Sequence, residues 1–290
     1  MKRIWILLVF ATVTHPAVAF QQTISIQSTD DSSPKELSKQ LSATEETARL
    51  SDLIENAVDW YELRSGPESS LVLKSRPVMR WRNVTRGQDG EAMMVIWTDG
   101  QRPEAVASIY PWQENLVHEM DSLSRGRTLR ALDDGSIVWA PQEVGIQFRP
   151  VPEAMSPSAT PVLRQREMKI LAARFSGVMT GWRSDDTDRE ELRLLPRPLY
   201  RYEIPADKKR SDHVIDGSLL AFVSGTDPEI ILVLEAFDDG TSRHWEYACV
   251  RATSGGLEMS LDKTVIWTAQ KHPVADQITL PHMSLRKPAE

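Results

Sequence analysis

The chain has 290 residues, with 34 Lys and Arg against 41 Asp and Glu, a formal charge of −7 and one cysteine. An acidic balance without a basic cluster is a poor match for a polyanion, which excludes nucleic acid as a partner. The single cysteine, Cys249, permits no intramolecular disulfide, so stability has to come from apolar burial.

Lys2 and Arg3 precede an apolar run from Ile4 to Val13, and Ala17-Val18-Ala19 places small residues where a signal peptidase reads. This pattern predicts a secretory signal peptide over 1–19, cleaved after Ala19, and a periplasmic or extracellular location. The apolar run is about 10 residues against the roughly 20 that span a bilayer, so no stable membrane insertion is expected. No cysteine lies in the cleavage region, which excludes lipid attachment there. Removing 19 residues from 290 leaves 271, and losing Lys2 and Arg3 takes the charge from −7 to −9. The polar stretch 20–34 is expected to lack fixed structure, as is a tail over 281–290.

A first unit is expected over 35–149. Ser42-x-x-Glu45 offers a capping box, and Leu50, Leu53, Ile54, Ala57, Val58 and Tyr61 recur at helical spacing. Gly66-Pro67 is the stop signal for that helix. Asp89-Gly90, Asp99-Gly100 and Asp134-Gly135 then separate strand-like runs. Residues 150–161, PVPEAMSPSATP, contain four prolines and read as a semi-rigid linker that cannot join a sheet centre. A second unit over 162–280 opens with a helix at Thr160-Pro161, whose stripe is Leu163, Leu171, Phe175, Val178 and Trp182. Its turn signals are Asp216-Gly217, Asp239-Gly240 and Gly255-Gly256.

The two units share more than their order. Residues 69–81, SSLVLKSRPVMRW, align without a gap to 190–202, EELRLLPRPLYRY. Leu71/Leu192, Leu73/Leu194, Arg76/Arg197, Pro77/Pro198 and Arg80/Arg201 are identical, and Trp81/Tyr202 keeps an aromatic. Trp60 meets Trp182, Pro103-Glu104 meets Pro228-Glu229, and IVWAPQ (137–142) meets VIWTAQ (265–270). The offset grows from 121 to 128, changing in turn-rich segments where insertions are tolerated. Order and spacing together predict an internal duplication. Short connections demand antiparallel neighbours. The expected fold class is therefore α+β: a helix followed by a four- to five-stranded antiparallel meander, twice, as a pseudo-dimer about an approximate two-fold axis. The helix-on-sheet order resembles cystatin-like folds, which carries no function.

In a strand, Arg76, Val78 and Arg80 share one face and Met79 and Trp81 the other. The aromatic face is expected beneath the helix, leaving Arg76, Arg80, Arg197 and Arg201 either to pair with cross-strand acids in solvent or to meet at the axis and hold an anion. Of the tryptophans, Trp97, Trp112 and Trp245 lack an aromatic counterpart, and Trp112, after a proline in IYPWQEN, is the best candidate for ligand contact. Trp112 and the four arginines form the expected binding set.

Catalytic motifs are absent. There is no G-x-S-x-G, P-loop or G-x-G-x-x-G, and His118-Glu119 begins an H-E-x-x-H that fails at Ser122. His118, His213, His244, His272 and His282 are scattered singly, with His213 and His244 near acids in sequence. SDDTDREE (184–191) spaces Asp186, Asp188 and Glu190 as calcium ligands often are, but Glu191 stands where an EF-hand needs glycine. Neither a metal nor a cofactor is expected. Asn83-Val84-Thr85 is a glycosylation sequon. Cys249 shares a strand face with Trp245 and Tyr247 and reads as a buried thiol.

GQRPEAVASIYPW (100–112), GIQFRPVPEA (145–154), LRLLPRPLYRYE (192–203) and DGSLLAFVSGTDPE (216–229) give the chain its resemblance to an uncharacterised family of exported proteins from planctomycete-type bacteria. That resemblance implies a bacterial cell-envelope context and no activity. Two function classes follow. One is a non-catalytic binding or scaffold protein for an envelope protein or small molecule, favoured by the lack of a catalytic constellation. The other is a periplasmic hydrolase whose site forms only in three dimensions, with His118, His213 or His244 meeting a carboxylate in a pocket.

Overall fold

The computed structural model describes residues 45, 48–66, 70–82, 90–181, 188–205, 207, 212–272 and 278–289. The signal peptide, the polar stretch 20–34, Ser42, the sequon, Asp89, Trp182 and the centre of the acidic run lie outside them.

Of the described residues, 56 % are strand and 12 % helical, and this overturns the expected α+β class. What forms is three antiparallel sheets, one of them a half-barrel, with two short helical segments. In the first half, helix α1 (48–56) runs into a 3-10 turn, Ala57–Trp60. Strand β1 (Glu62–Ser65) follows at once, so the helix stops before Gly66, whose positive φ of 84° instead turns β1 into β2 (Leu71–Val72). Next come β3 (Lys74–Arg82), β4 (Glu91–Asp99), β5 (Arg102–Trp112), β6 (Asn115–Ser122), β7 (Leu129–Asp133), β8 (Ser136–Trp139) and the short β9 (Arg149–Pro150). In the second half, α2 (Pro161–Ala172) is followed by β10 (Phe175–Thr180), β11 (Arg189–Leu194), β12 (Tyr200–Glu203), β13 (Val214–Ser224) and β14 (Asp227–Asp238). Then β15 (Arg243–Arg251), β16 (Gly256–Leu261), β17 (Thr264–Ala269) and β18 (His282–Pro288) complete it.

Neither half is one helix with one meander. The first divides into a sheet ordered β2-β1-β7-β8 and another ordered β18-β6-β5-β4-β3. The second joins its strands into nine, ordered β17-β16-β10-β11-β13-β14-β15-β9, with β12 also on β13. The runs β3-β4-β5-β6 and β12-β13-β14-β15 each pair in chain order, but β11 also joins β10 to β13, whereas β2 ends a separate sheet.

The ends of the two halves are exchanged. β9 pairs with β15 of the second half, and Val151 N–H donates to the Trp245 carbonyl at 2.8 Å. Pro150, unable to donate, sits at that sheet's edge. β18 returns to pair along β6, from His282 opposite Asp121 to Pro288 opposite Asn115. The expected tail is therefore an edge strand of the first half's sheet.

Three cores result. One lies under α1 and includes Ile54, Leu63, Met93, Trp97, Met120, Trp139 and Met283. A second lies under α2 and includes Met168, Phe175, Phe222, Leu232 and Trp245. A third lies between the two large sheets, where Met94, Ile96 and Val106 meet Leu219, Ile231, Val233 and Val250. β4 and β14 thus bury both faces, which is why AMMVIW and IILVL are continuous apolar runs without alternation. Trp81 enters this third core, so the expectation that it lies beneath the helix is corrected. The helical stripe of the second half is corrected too: α2 ends at Ala172, and Phe175 and Val178 belong to β10.

Candidate functional site

A cavity of about 270 Å³ opens where the first half's sheet meets two loops of the second. Its floor follows from the period of two along paired strands. Register places Glu119 of β6 between Ser108 of β5 and Ser284 of β18, and Asp121 opposite His282. On the same face, Tyr110 and Trp112 of β5 and Arg286 of β18 complete the wall. The intervening residues His118 and Met120 point to the opposite side, Met120 into the first core. The roof is Thr253-Ser254-Gly255, with Lys271, His272 and Asp227 beside it.

The roof is tied down by specific bonds. His272 N–H donates to the Ser254 carbonyl at 2.8 Å, and the Arg251 guanidinium donates to the Gly255 carbonyl at 2.9 Å and the Gln270 carbonyl at 2.6 Å. Ser254 N–H and Oγ–H donate to Glu119 Oε1 at 3.1 and 2.7 Å, linking roof to floor. Ser254 Oγ also lies 3.3 Å from His282 Nε2, and His282 Nδ1 lies 3.0 Å from Asp121 Oδ1. The cavity wall thus leads inward through half-buried Ser254 to buried His282 and buried Asp121.

The electrostatics are those of a desolvated polar cluster. Burial raises the Glu119 carboxyl above its ordinary value, against the pull of His282 and the Ser254 bond. Burial works against the His282 imidazolium, but Asp121 and Glu119 outweigh it and hold its pKa above the usual 6.5. Burial, with Glu119 and Asp227 close by, pushes the Tyr110 phenol well up. Ser284 Oγ is buried against the cavity without a hydrogen-bond partner among the described residues. Among those residues, no group of three or more His, Cys, Asp or Glu is placed to hold a metal.

Of the five residues expected to bind, Trp112 lies in this cavity and is 39 % exposed, whereas its unmatched companions Trp97 and Trp245 are core residues at 1 and 2 %. The four arginines are elsewhere. Arg80 bonds Glu55 at 2.8 Å and Glu91 at 3.1 Å, and Arg76 stacks over Tyr200 at 5.4 Å. Arg201 bonds buried Asp216 at 2.8 Å, and Arg197 is exposed on the bend before β12.

The histidines sort differently from their sequence neighbourhoods. His118 is buried between the rings of Trp60 and Tyr61, with neither nitrogen hydrogen-bonded among the described residues. His213 packs on Phe237, and His244 Nε2 lies 3.3 Å from Glu246 outside the cavity. His282, which no neighbouring acid marks in sequence, meets the Asp121 carboxylate behind the cavity wall. Its partners are 161 and 28 residues away, and only the return of β18 joins them. The one local trace was the alternation of Glu119 and Asp121 in HEMDS. In comparisons with protein-family models, curated proteins and solved structures, nothing matches this chain.

Proposed function

We propose that the chain is an exported binding protein of a bacterial cell envelope whose ligand occupies the Trp112 cavity. The export pattern of residues 1–19 supports the location. The carrying observation is Trp112 itself: a large aromatic, 39 % exposed, beside Tyr110 in a walled cavity. An indole held at a concave surface offers stacking area at small entropic cost. Lys271 and Arg286 line the same cavity, so the ligand is a small molecule with a flat apolar part and an anionic group. Glu119 and Asp227 supply acceptors for any donor that it carries.

The test uses anilinonaphthalene sulfonate, an aromatic anion that fluoresces when desolvated. One site per folded chain is expected, weakened about tenfold in Trp112→Ala, the loss of roughly 1.4 kcal/mol of contact. Lys271→Ala combined with Arg286→Ala should weaken it similarly and reduce its salt dependence. Equal binding in all variants would remove the cavity as the site.

A further inference from the structure

The cavity holds a second arrangement that stacking does not use. Ser254 Oγ faces His282 Nε2 at 3.3 Å, and His282 Nδ1 faces Asp121 Oδ1 at 3.0 Å. Both ring nitrogens are thereby occupied in the sense that base catalysis needs: the carboxylate takes Nδ1–H and leaves Nε2 directed at the hydroxyl. The nucleophile is the member nearest the cavity, and the base and its orienting acid are buried behind it. We propose that Ser254, His282 and Asp121 form an acyl-transfer site that cleaves carboxylic esters entering the Trp112 cavity. This inference rests on the reading of that cavity as a ligand site.

The reaction balances without any group from outside except water. Ser254 Oγ attacks the ester carbonyl carbon and its proton passes to His282 Nε2. The bond from that carbon to the alcohol oxygen breaks, and the departing alcohol takes the proton from Nε2. Water then gives a proton to Nε2 as its oxygen attacks the acyl-serine, the acid is released, and Ser254 recovers its hydrogen. Asp121 stays ionised and stabilises the imidazolium formed in each half. Lys271 and Arg286 are the cations available to negative charge developing on the acyl oxygen.

Glu119 competes with His282 for the serine proton. The Ser254 hydroxyl has two acceptors in reach, Glu119 Oε1 at 2.7 Å and His282 Nε2 at 3.3 Å. Only the second leads to attack. The Ser254 N–H bond to Glu119 holds the residue in place in either state, so Glu119 is a positioning residue.

The experiment incubates the purified mature protein with a fluorophosphonate, a reagent that captures activated serines, and follows the intact mass and the labelled peptide. One adduct is expected, on Ser254, absent in Ser254→Ala and formed at least a hundredfold more slowly in His282→Gln. The wild-type rate should rise with pH along one ionisation above the ordinary imidazole value, because His282 must be neutral to accept the proton. Labelling elsewhere, no labelling, or an equal rate in a folded His282→Gln overturns the proposal. Should that variant not fold, Ser254→Cys gives the same information: its alkylation by iodoacetamide should persist well below the ordinary thiol range, and an ordinary thiol profile overturns the proposal. Anilinonaphthalene sulfonate binding is measured in parallel with Ser254→Ala. Binding without an adduct in wild type keeps the binding function and sinks the catalytic one, and an adduct without binding does the reverse.

Discussion

Arg102 on β5 and Glu235 on β14 join the two halves through a buried bond of 2.8 Å from the guanidinium Nε to Oε1. Arg102 also meets Glu104 at 3.2 Å and donates to the Leu123 carbonyl at 3.1 Å, and Arg125 donates to the other Glu235 oxygen at 2.7 Å. Tyr202 O–H donates to Glu235 as well. Such a cluster is costly to desolvate, so it holds the halves in one arrangement more than it adds stability. Glu235→Gln should cost about 3–5 kcal/mol in urea unfolding, because it removes the buried carboxylate that Arg102 and Arg125 share. The double change Arg102→Met with Glu235→Leu should recover much of that loss, and a double variant as unstable as the single would show that the pair itself carries the stability.

The tryptophans that sequence treats alike separate by burial. Trp97→Ala empties the first core and should cost about 3–5 kcal/mol. Trp112→Ala should change stability by about 0.5 kcal/mol or less while weakening cavity binding. Thermal unfolding of both variants beside the binding assay distinguishes structural from ligand-facing indoles.

Two histidines give stability opposite dependences on pH. Burial, and then Lys287, lower the His118 pKa to about 3. The unfolded chain therefore takes up a proton near pH 6.5 that the folded chain refuses, and stability falls as pH drops from there towards 3. His282 is raised, so its contribution is complete below the ordinary value of 6.5 and is lost as pH rises through its folded value. His118→Phe should flatten the acid limb and His282→Gln the alkaline one, read by urea unfolding across the range. A His118→Phe protein with the same acid limb would assign that limb to carboxylates.

β18 carries Ser284 and Arg286 to the cavity, His282 to the buried cluster behind it and Met283 to the first core. Met283→Ala should cost about 2–5 kcal/mol. Removing residues 281–290 should do more, since it exposes the edge of β6 and promotes association through it. Size-exclusion chromatography would show higher oligomers, and a monomer of unchanged stability would deny β18 its place.

Cys249 faces the second core, and burial pushes its thiol up to about 12. It should resist a disulfide reagent in the folded protein and react once per chain on unfolding. Rapid native labelling would contradict its burial.

Local chemistry alone determined much of the strand layout. Asp99-Gly100, Asp134-Gly135 and Asp239-Gly240 stand at the hairpins between β4 and β5, β7 and β8, and β14 and β15, because a tight reversal needs residues tolerant of positive φ. Asp216-Gly217 has the same letters yet lies within β13. There Arg164 and Arg201 each hold the Asp216 carboxylate at 2.8 Å, and Gly217 leaves room for the Tyr202 ring. A dipeptide cannot announce partners that arrive from another helix and strand.

The helices misled for a related reason. Phe175 and Val178 fit a helical stripe, but β16 and β11 pair on either side of that segment and take it as a strand. Trp112, singled out because it follows a proline, is the last residue of β5 rather than part of a loop, and it stays partly exposed. Ser254, His282 and Asp121 were not legible as a set. Their spacing along the chain carries no period, and they meet only because β18 crosses back to β6 and the β15–β16 loop closes over it. Periodicity and turn chemistry act within a few residues and belong to the sequence, whereas the exchange of strand ends, the buried charges and the cavity depend on contacts between distant segments that only the folded chain creates.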